Sequence, residues 1–265
     1  YVIANCIVIN ATGVCKIKGC GSVVCIGNDY FKSGKIENGS AKNGGNVAVS
    51  IGAATGPTLY LQGMDFIGGT ATENGGNLHI ASHESYAGKP TVAYSAGKIT
   101  GGTAAGNGGN VCLSGLSNKF VTFTMTGGVI GGTPAQGKTY AGEAKNGGNL
   151  FGQYATITIS GGECSNAYAS TNGGNLYLKC TANIEAAHIA KGTAGTLGAA
   201  IYVASHADTA VTLGADVKGN IALGVDKALF ASADIYGGAI NKITCKATDA
   251  TFYLDGSYNN CGTMV

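Results

Sequence analysis

The sequence predicts an all-β chain wound into a single-stranded parallel β-helix, or β-solenoid, and three observations carry that prediction. The tetrapeptide Asn-Gly-Gly-Asn recurs five times, segments of alternating apolar and polar residues separate the copies, and no segment has the composition of a long helix. Recurrence with a period of roughly 20 to 50 residues is the signature of a repeat architecture. We therefore expect one repetitive domain, residues 1–265, with a Cys-rich first coil at 1–26, repeat coils at 27–242 and a strand or cap at 243–265.

The recurring tetrapeptide marks the turns, and degenerate copies of it begin at Leu197 and Tyr236. Paired glycines accept positive φ, at which the chain bends sharply while another backbone lies close by. Asn amides both donate and accept hydrogen bonds, so Asn residues of successive turns are expected to form ladders. The predicted ladder residues are Asn43, Asn46, Asn74, Asn77, Asn107, Asn110, Asn146, Asn149, Asn172 and Asn175.

The strands are predicted from a period of two, as in Leu176, Tyr177 and Leu178, with β-branched and aromatic residues between glycines. Stacked repeats bring like onto like about every 4.8 Å, which converts a position in the repeat into a column. Two inward columns are expected to form the core. They are Ile36, Phe66, Ile99, Ile130, Cys164, Ile189 and Val217, and Val47, Leu78, Val111, Leu150, Leu176 and Ile201.

The composition disfavours several classes of protein. The chain has 46 Gly but only 3 Pro, and its glycines follow no three-residue period, which excludes collagen. Hydrophobic residues make up 45% of the chain and the net charge is only +2, which disfavours disorder. We expect no nucleic-acid partner, because no basic cluster is present, and no membrane span, because no apolar run reaches ~18 residues.

The cysteines indicate disulfides at one end of the chain. Four of the 9 cysteines crowd residues 1–26, and an extracellular location would favour disulfides that staple this end. No pair has the Cys-x-x-Cys spacing of a zinc or redox site, and no cofactor or metal is predicted. The candidate disulfide residues are Cys6, Cys15, Cys20 and Cys25.

One of the outward columns ends in aromatic side chains. Its candidate interface residues are His79, Phe151, Tyr177 and Tyr202. Three interpretations remain open: the rings stack on one another, they pack against a neighbouring subunit, or they bind sugar rings.

An enzyme that acts on polysaccharide is the alternative class of function. Asp65, Glu163 and Asp216 share one outward column, but Lys35 and Lys98 alternate with them, which favours a solvated charge ladder over a catalytic carboxylate pair. Ice binding would need long outward Thr columns. The sequence indicates these over two repeats only, at Thr122, Thr124, Thr156 and Thr158.

The segment Thr122 to Ile130, followed by the turn at Asn146, resembles the repeats of secreted bacterial right-handed β-helix proteins and adhesins. Gly237-Gly238-Ala239-Ile240 is similar to the Gly-Gly-Ala-Ile motif of autotransporter passenger proteins. The resemblance implies a right-handed β-helix of about seven to eight coils, an extracellular or cell-surface location, and an adhesive or scaffold role.

Both ends of the sequence are expected to be strands, since neither offers an amphipathic helix that would cap a solenoid. Uncapped strand edges favour association with further copies. We therefore expect a non-enzymatic protomer of an extracellular filament. Its partners would be copies of itself and, in an adhesive role, a host or matrix glycan or protein. The alternative is a polysaccharide-binding or polysaccharide-degrading β-helix.

Overall fold

The structure is a computed structural model that describes residues 29–50, 58–85, 87–204, 206, 209–213, 216–217, 219–224, 240–245 and 250–254. Throughout these residues the regular elements are strands, and no helix occurs among them. The strands are β1 (Asp29–Phe31), β2 (Lys35–Glu37), β3 (Ser40–Asn43), β4 (Val47–Ser50), β5 (Thr58–Gln62), β6 (Asp65–Ile67), β7 (Thr70–Asn74), β8 (Leu78–Ala81), β9 (Thr91–Ala96), β10 (Lys98–Thr100), β11 (Gly102–Ala104), β12 (Val111–Ser114), β13 (Val121–Met125), β14 (Val129–Gly131), β15 (Gly142–Asn146), β16 (Leu150–Ile159), β17 (Glu163–Ser165), β18 (Ala167–Asn172), β19 (Leu176–Ile184), β20 (His188–Ala190), β21 (Thr193–Ala194), β22 (Ile201–Ala204), β23 (Thr209–Leu213), β24 (Asp216–Val217), β25 (Gly219–Gly224), β26 (Ile240–Cys245) and β27 (Ala250–Leu254).

The strands form three parallel sheets. The second sheet runs β2-β6-β10-β14-β17-β20-β24, the third runs β3-β7-β11-β15-β18-β21, and the first contains the other fourteen strands. Each strand pairs with its counterpart in the neighbouring repeat, so the sheets grow along the repeat direction. The prediction of an all-β fold with parallel strands is thereby confirmed, and the arrangement is compatible with a solenoid.

The strand registers align the two inward columns that the repeat predicts. Ile36 pairs with Phe66, which pairs with Ile99, and the alignment continues through Ile130 to Cys164. In the other column, Val47 begins an unbroken series that reaches Ile201. The described side chains of both columns are at most 1% exposed. These columns form the hydrophobic core because strand alternation turns every second residue inward.

The third sheet contributes small side chains to the interior. Ala71, Ala104 and Ala144 are buried at matching positions and form a cluster of their own. The larger Tyr94 is buried within the main core, where its hydroxyl lies 2.6 Å from the carbonyl oxygen of Gly97 and accepts a 2.9 Å bond from the Val129 N–H. Burial raises the pKa of Tyr94, so the ring remains a neutral member of the core.

The structure describes part of the C-terminal segment of the predicted domain but none of its N-terminal segment. The segment at residues 1–26, predicted to be a Cys-rich first coil, lies outside the described residues, and so do Gly237, Gly238 and Ala239 of the Gly-Gly-Ala-Ile segment. Within residues 243–265 the structure describes the end of β26 and all of β27. Their strand partners are β23 and β25, respectively.

Candidate functional site

The last Asn of each intact turn belongs to a continuous buried ladder, the inner ladder. Each side chain donates from Nδ2 to Oδ1 of its counterpart in the next repeat: Asn46 to Asn77 at 2.6 Å, Asn77 to Asn110 at 2.7 Å, Asn110 to Asn149 at 2.7 Å, and Asn149 to Asn175 at 3.0 Å. All five residues are at most 1% exposed. Their amides also bond backbone groups, so they satisfy the polar atoms that the turns bury.

The first Asn of each turn belongs to a half-buried ladder, the outer ladder. Its side chains donate toward the preceding repeat, whereas those of the inner ladder donate toward the next one. Asn146 Nδ2 donates to Asn107 Oδ1 at 3.0 Å, Asn107 donates to Asn74 at 3.1 Å, and Asn74 donates to Asn43 at 3.2 Å. Asn43 donates in turn to the Glu73 carboxylate at 3.2 Å. Hydrogen bonds from Lys42 and Asn43 lower the pKa of Glu73, so the row of donors ends on a carboxylate. The amide dipoles of the two ladders therefore oppose each other.

The two glycines of each turn have different tasks. The first lies at positive φ, +66° at Gly75, a conformation that side chains other than Asn rarely adopt. The second has no room for a side chain, because a Cβ on Gly76 would lie 2.1 Å from the carbonyl oxygen of Gly109. The turn thus needs glycine once for conformation and once for close approach.

The predicted aromatic column is present as a continuous register. Phe151 stacks on Tyr177 with ring centroids 5.0 Å apart, and Tyr177 packs on Tyr202 at 4.9 Å. His79 belongs to the same column but is separated from Phe151 by Cys112. This outward column is less exposed than expected, since Phe151 is 6% exposed and Cys112 is fully buried.

Burial also sets the protonation of the column. It lowers the pKa of His79 from its ordinary value of about 6.5 to about 4, and the Glu73 carboxylate partly offsets that shift. Burial raises the pKa of Tyr177 as well. His79 and Tyr177 are therefore uncharged at neutral pH, which suits a contact surface better than a proton-transfer site.

The three acidic residues of the charged column are separated by other side chains. The registers run from Lys35 to Asp65 in one segment, and from Lys98 through Val129 to Glu163 in the next. Glu163 accepts a hydrogen bond from the Ser165 hydroxyl. Two repeats lie between Asp65 and Glu163, so these carboxylates form no catalytic pair.

A groove lies at the corner where one repeat passes to the next. It encloses about 430 Å³ and is lined by Glu84, Leu116, Ser117, Asn118, Lys119 and Tyr154. The Lys119 ammonium is bonded to two backbone carbonyls, at 3.3 Å from His83 and 2.6 Å from Glu84, which fixes the wall of the groove. No pattern in the sequence predicts this groove.

Tyr154 is the unusual residue of the groove. It interrupts β16 at φ +48°, where a register shift falls between Gln153 and Thr156. Its ring packs on Phe120 with centroids 6.1 Å apart and meets His206 edge-on at 5.3 Å. A non-glycine residue at positive φ persists only when its surroundings hold it there, and such residues concentrate at functional sites.

An outward threonine column is longer than the sequence analysis anticipated. The registers align five threonines in successive repeats: Thr58, Thr91, Thr122, Thr156 and Thr181. The neighbouring column, however, holds Ala93 and Asn183 on either side of Thr124 and Thr158. Among the described residues, two threonine columns therefore lie side by side over two repeats only, at Thr122 and Thr124 and at Thr156 and Thr158. This is the extent that the sequence predicts.

The candidate disulfide residues Cys6, Cys15, Cys20 and Cys25 lie outside the described residues. Cys112, Cys164 and Cys180 are buried free thiols. Burial raises the pKa of each of these three thiols to about 12, so they remain protonated and inert in the folded chain.

Over the described ranges, no group of three or more His, Cys, Asp or Glu side chains is placed to hold a metal ion. No helix in that part of the chain is long and apolar enough to cross a membrane. Comparisons with protein-family models, curated proteins and solved structures return no match to this chain.

Proposed function

We propose that the protein is a non-enzymatic, extracellular structural or adhesive β-solenoid that associates with copies of itself into a filament or fibre. The observation that carries the proposal is surface repetition, since the registers stack aromatic, threonine and amide side chains in columns across successive repeats. A surface that repeats along one direction offers the same contact at every step, which suits extended assembly.

The proposal includes a finer fold, one right-handed parallel β-helix of about seven to eight coils. Support comes from the inner ladder, whose hydrogen bonds join five successive repeats without interruption. Right-handed connections are the rule for parallel strands joined within one sheet. The buried ladder also supports a structural role, because bending the rod would separate amides that have no water to replace their partners.

The aromatic column is the lateral contact in this proposal. Sedimentation velocity and negative-stain microscopy across a concentration series test it. We expect elongated assemblies that a double Tyr177→Ser and Tyr202→Ser variant no longer forms. Tyr168→Ser is the matched control, because Tyr168 stacks on Tyr140 at 5.1 Å in a different sheet. A wild-type chain that stays monomeric at every concentration would contradict the proposal.

Binding of a polysaccharide is the second candidate, and the corner groove favours it. Sugar rings stack on aromatic faces, and the groove combines the Tyr154 ring with the amide of Asn118 and the exposed carboxylate of Glu84. Because the Lys119 ammonium is bonded to backbone carbonyls, we expect neutral glycans to be preferred over acidic ones.

Titration calorimetry with cellohexaose and with chitohexaose tests the second candidate. Tyr154→Asn removes the ring while retaining a residue that tolerates positive φ, and it should abolish binding. Tyr140→Asn, which removes a ring outside the groove, should bind as the wild type does. Equal binding by the two variants would exclude the groove as the glycan site.

A further inference from the structure

Each Asn of the outer ladder is followed by glycine. Asn-Gly is the sequence in which asparagine deamidates most readily, that is, loses its side-chain amide as ammonia. The glycine nitrogen attacks Cγ of the asparagine, and the bond from Cγ to Nδ2 breaks. Ammonia is released, and the main chain then contains a five-membered cyclic imide. Water then opens the imide at one of its two carbonyls and yields aspartate or isoaspartate. Glycine favours the attack because no Cβ shields its nitrogen.

The folded chain holds each of these glycine nitrogens in a hydrogen bond. Its N–H donates to a backbone carbonyl of the next repeat, where deprotonation and attack are both hindered. The bonds run from Gly44 to Asn74 at 2.9 Å, Gly75 to Asn107 at 2.9 Å, Gly108 to Asn146 at 2.9 Å, Gly147 to Asn172 at 3.0 Å and Gly173 to Leu197 at 3.0 Å.

The asparagine side chains are held as well. Asn43 Oδ1 accepts both the N–H and the Nδ2 of Asn74, at 3.1 and 3.2 Å. Asn74 Oδ1 accepts the same two groups of Asn107, at 3.0 and 3.1 Å. These bonds direct the carbonyls of Asn43 and Asn74 toward the neighbouring repeat, and neither Cγ can turn toward its own glycine without breaking them. Asn107 Oδ1 accepts from Asn146 Nδ2 at 3.0 Å.

We propose that the five Asn-Gly bonds of the outer ladder are latent deamidation sites, which the stacked repeats keep unreactive and which unfolding exposes. The reaction would replace amides by carboxylates, which cannot donate to one another and repel when stacked. Isoaspartate also adds a methylene to the main chain and shifts the register of the turn. Prolonged unfolding is therefore irreversible for this protein, because turns that have deamidated no longer stack.

Peptide mapping by mass spectrometry tests the proposal on native protein and on protein held in concentrated urea, at the same mildly alkaline pH and temperature. A synthetic peptide with the sequence of residues 104–111 gives the intrinsic rate of the turn. We expect the unfolded chain to react at the rate of the peptide, and the native chain at least about a hundredfold more slowly. Native and unfolded rates within a few-fold of each other would overturn the proposal.

The order of the sites provides a second measurement. Asn172 is the last member of the ladder, because Leu197 stands where the next Asn would be, and its Oδ1 accepts a 3.2 Å bond from the Leu197 N–H. We expect Asn172 to deamidate fastest of the five in the native chain. Faster native loss at Asn74 or Asn107 would show that the ladder gives no protection. Refolding yield after increasing times in urea should fall as isoaspartate accumulates.

Discussion

Asn110 shows how many hydrogen bonds depend on one amide of the inner ladder. Its Oδ1 accepts from Asn77 at 2.7 Å and from the Gly102 N–H at 3.0 Å, while its Nδ2 donates to the carbonyl of Ala141 and to Asn149, both at 2.7 Å. All of these groups are buried among three repeats. Replacing the side chain by an apolar one therefore removes four buried hydrogen bonds. The Asn77 amide and the Ala141 carbonyl keep one other partner each, Thr100 and Gly101.

We expect Asn110→Leu to lower the free energy of unfolding by about 3–5 kcal/mol, because each unsatisfied buried group costs ~1–3 kcal/mol and part of this is relieved by relaxation. Urea denaturation followed by circular dichroism measures the change. Asn107→Leu in the half-buried outer ladder is the matched control and should cost about 1 kcal/mol. Equal losses in the two variants would show that burial of the inner ladder does not determine its contribution.

His79 makes stability depend on pH. Its pKa is about 4 in the folded chain and about 6.5 when unfolded, so the unfolded chain binds the extra proton between these values. Its contribution to stability is therefore complete above pH 6.5 and declines as the pH falls toward 4, by up to roughly 3 kcal/mol. Urea midpoints measured across this range should fall for the wild type and change less for His79→Gln. Parallel profiles for the two proteins would contradict the assignment.

At the scale of the element, the turn depends on the absence of a side chain at its second glycine. A methyl group on Gly76 would meet the Gly109 carbonyl oxygen at 2.1 Å and the Thr103 nitrogen at 2.3 Å. Both contacts are backbone atoms of the next repeat, so relief requires the two repeats to separate locally. The degenerate turn has Ala199 at the equivalent position, which provides a natural comparison.

We expect Gly76→Ala to destabilise the protein by about 3 kcal/mol or more, a cost typical of overpacking in a close-packed interior. Ala199→Gly, the matched reverse change, should stay within about 1 kcal/mol of the wild type, because it alters chain entropy alone. Thermal unfolding of both variants measures the difference. A Gly76→Ala variant as stable as the wild type would mean that adjacent turns can separate without loss.

The strands and turns could be predicted because each repeat restates them, as the columns through Ile99 and Val111 show. The direction of the two ladders could not, since an amide donates and accepts equally well from its sequence position. The groove could not be predicted because Glu84 and Asn118 lie in connections between strands and Tyr154 lies at an irregularity within β16, and these positions follow no common pattern. Tyr154 gave no signal, since tyrosine is not a residue type that marks positive φ.

At the scale of the whole molecule, each repeat contacts its neighbours and little else, so stability should spread along the chain one repeat at a time. The buried thiols report on this. Cys112 lies in β12, two residues after Asn110, whereas Cys180 lies in β19, in the repeat of Asn175, two repeats further along the inner ladder. Both thiols are buried, and burial raises the pKa of each to about 12, so either reacts only when its repeat opens.

We expect Asn110→Leu to accelerate the alkylation of Cys112 by iodoacetamide far more than that of Cys180, because opening free energies differ along a chain whose units couple only to their neighbours. Site-resolved mass spectrometry after timed labelling below the unfolding midpoint measures both rates in one sample. His79→Gln, in the repeat on the other side of Cys112, should give the same order with a smaller effect. Equal acceleration at Cys112 and Cys180 would show that the inner ladder makes the stacked repeats open as a single cooperative unit.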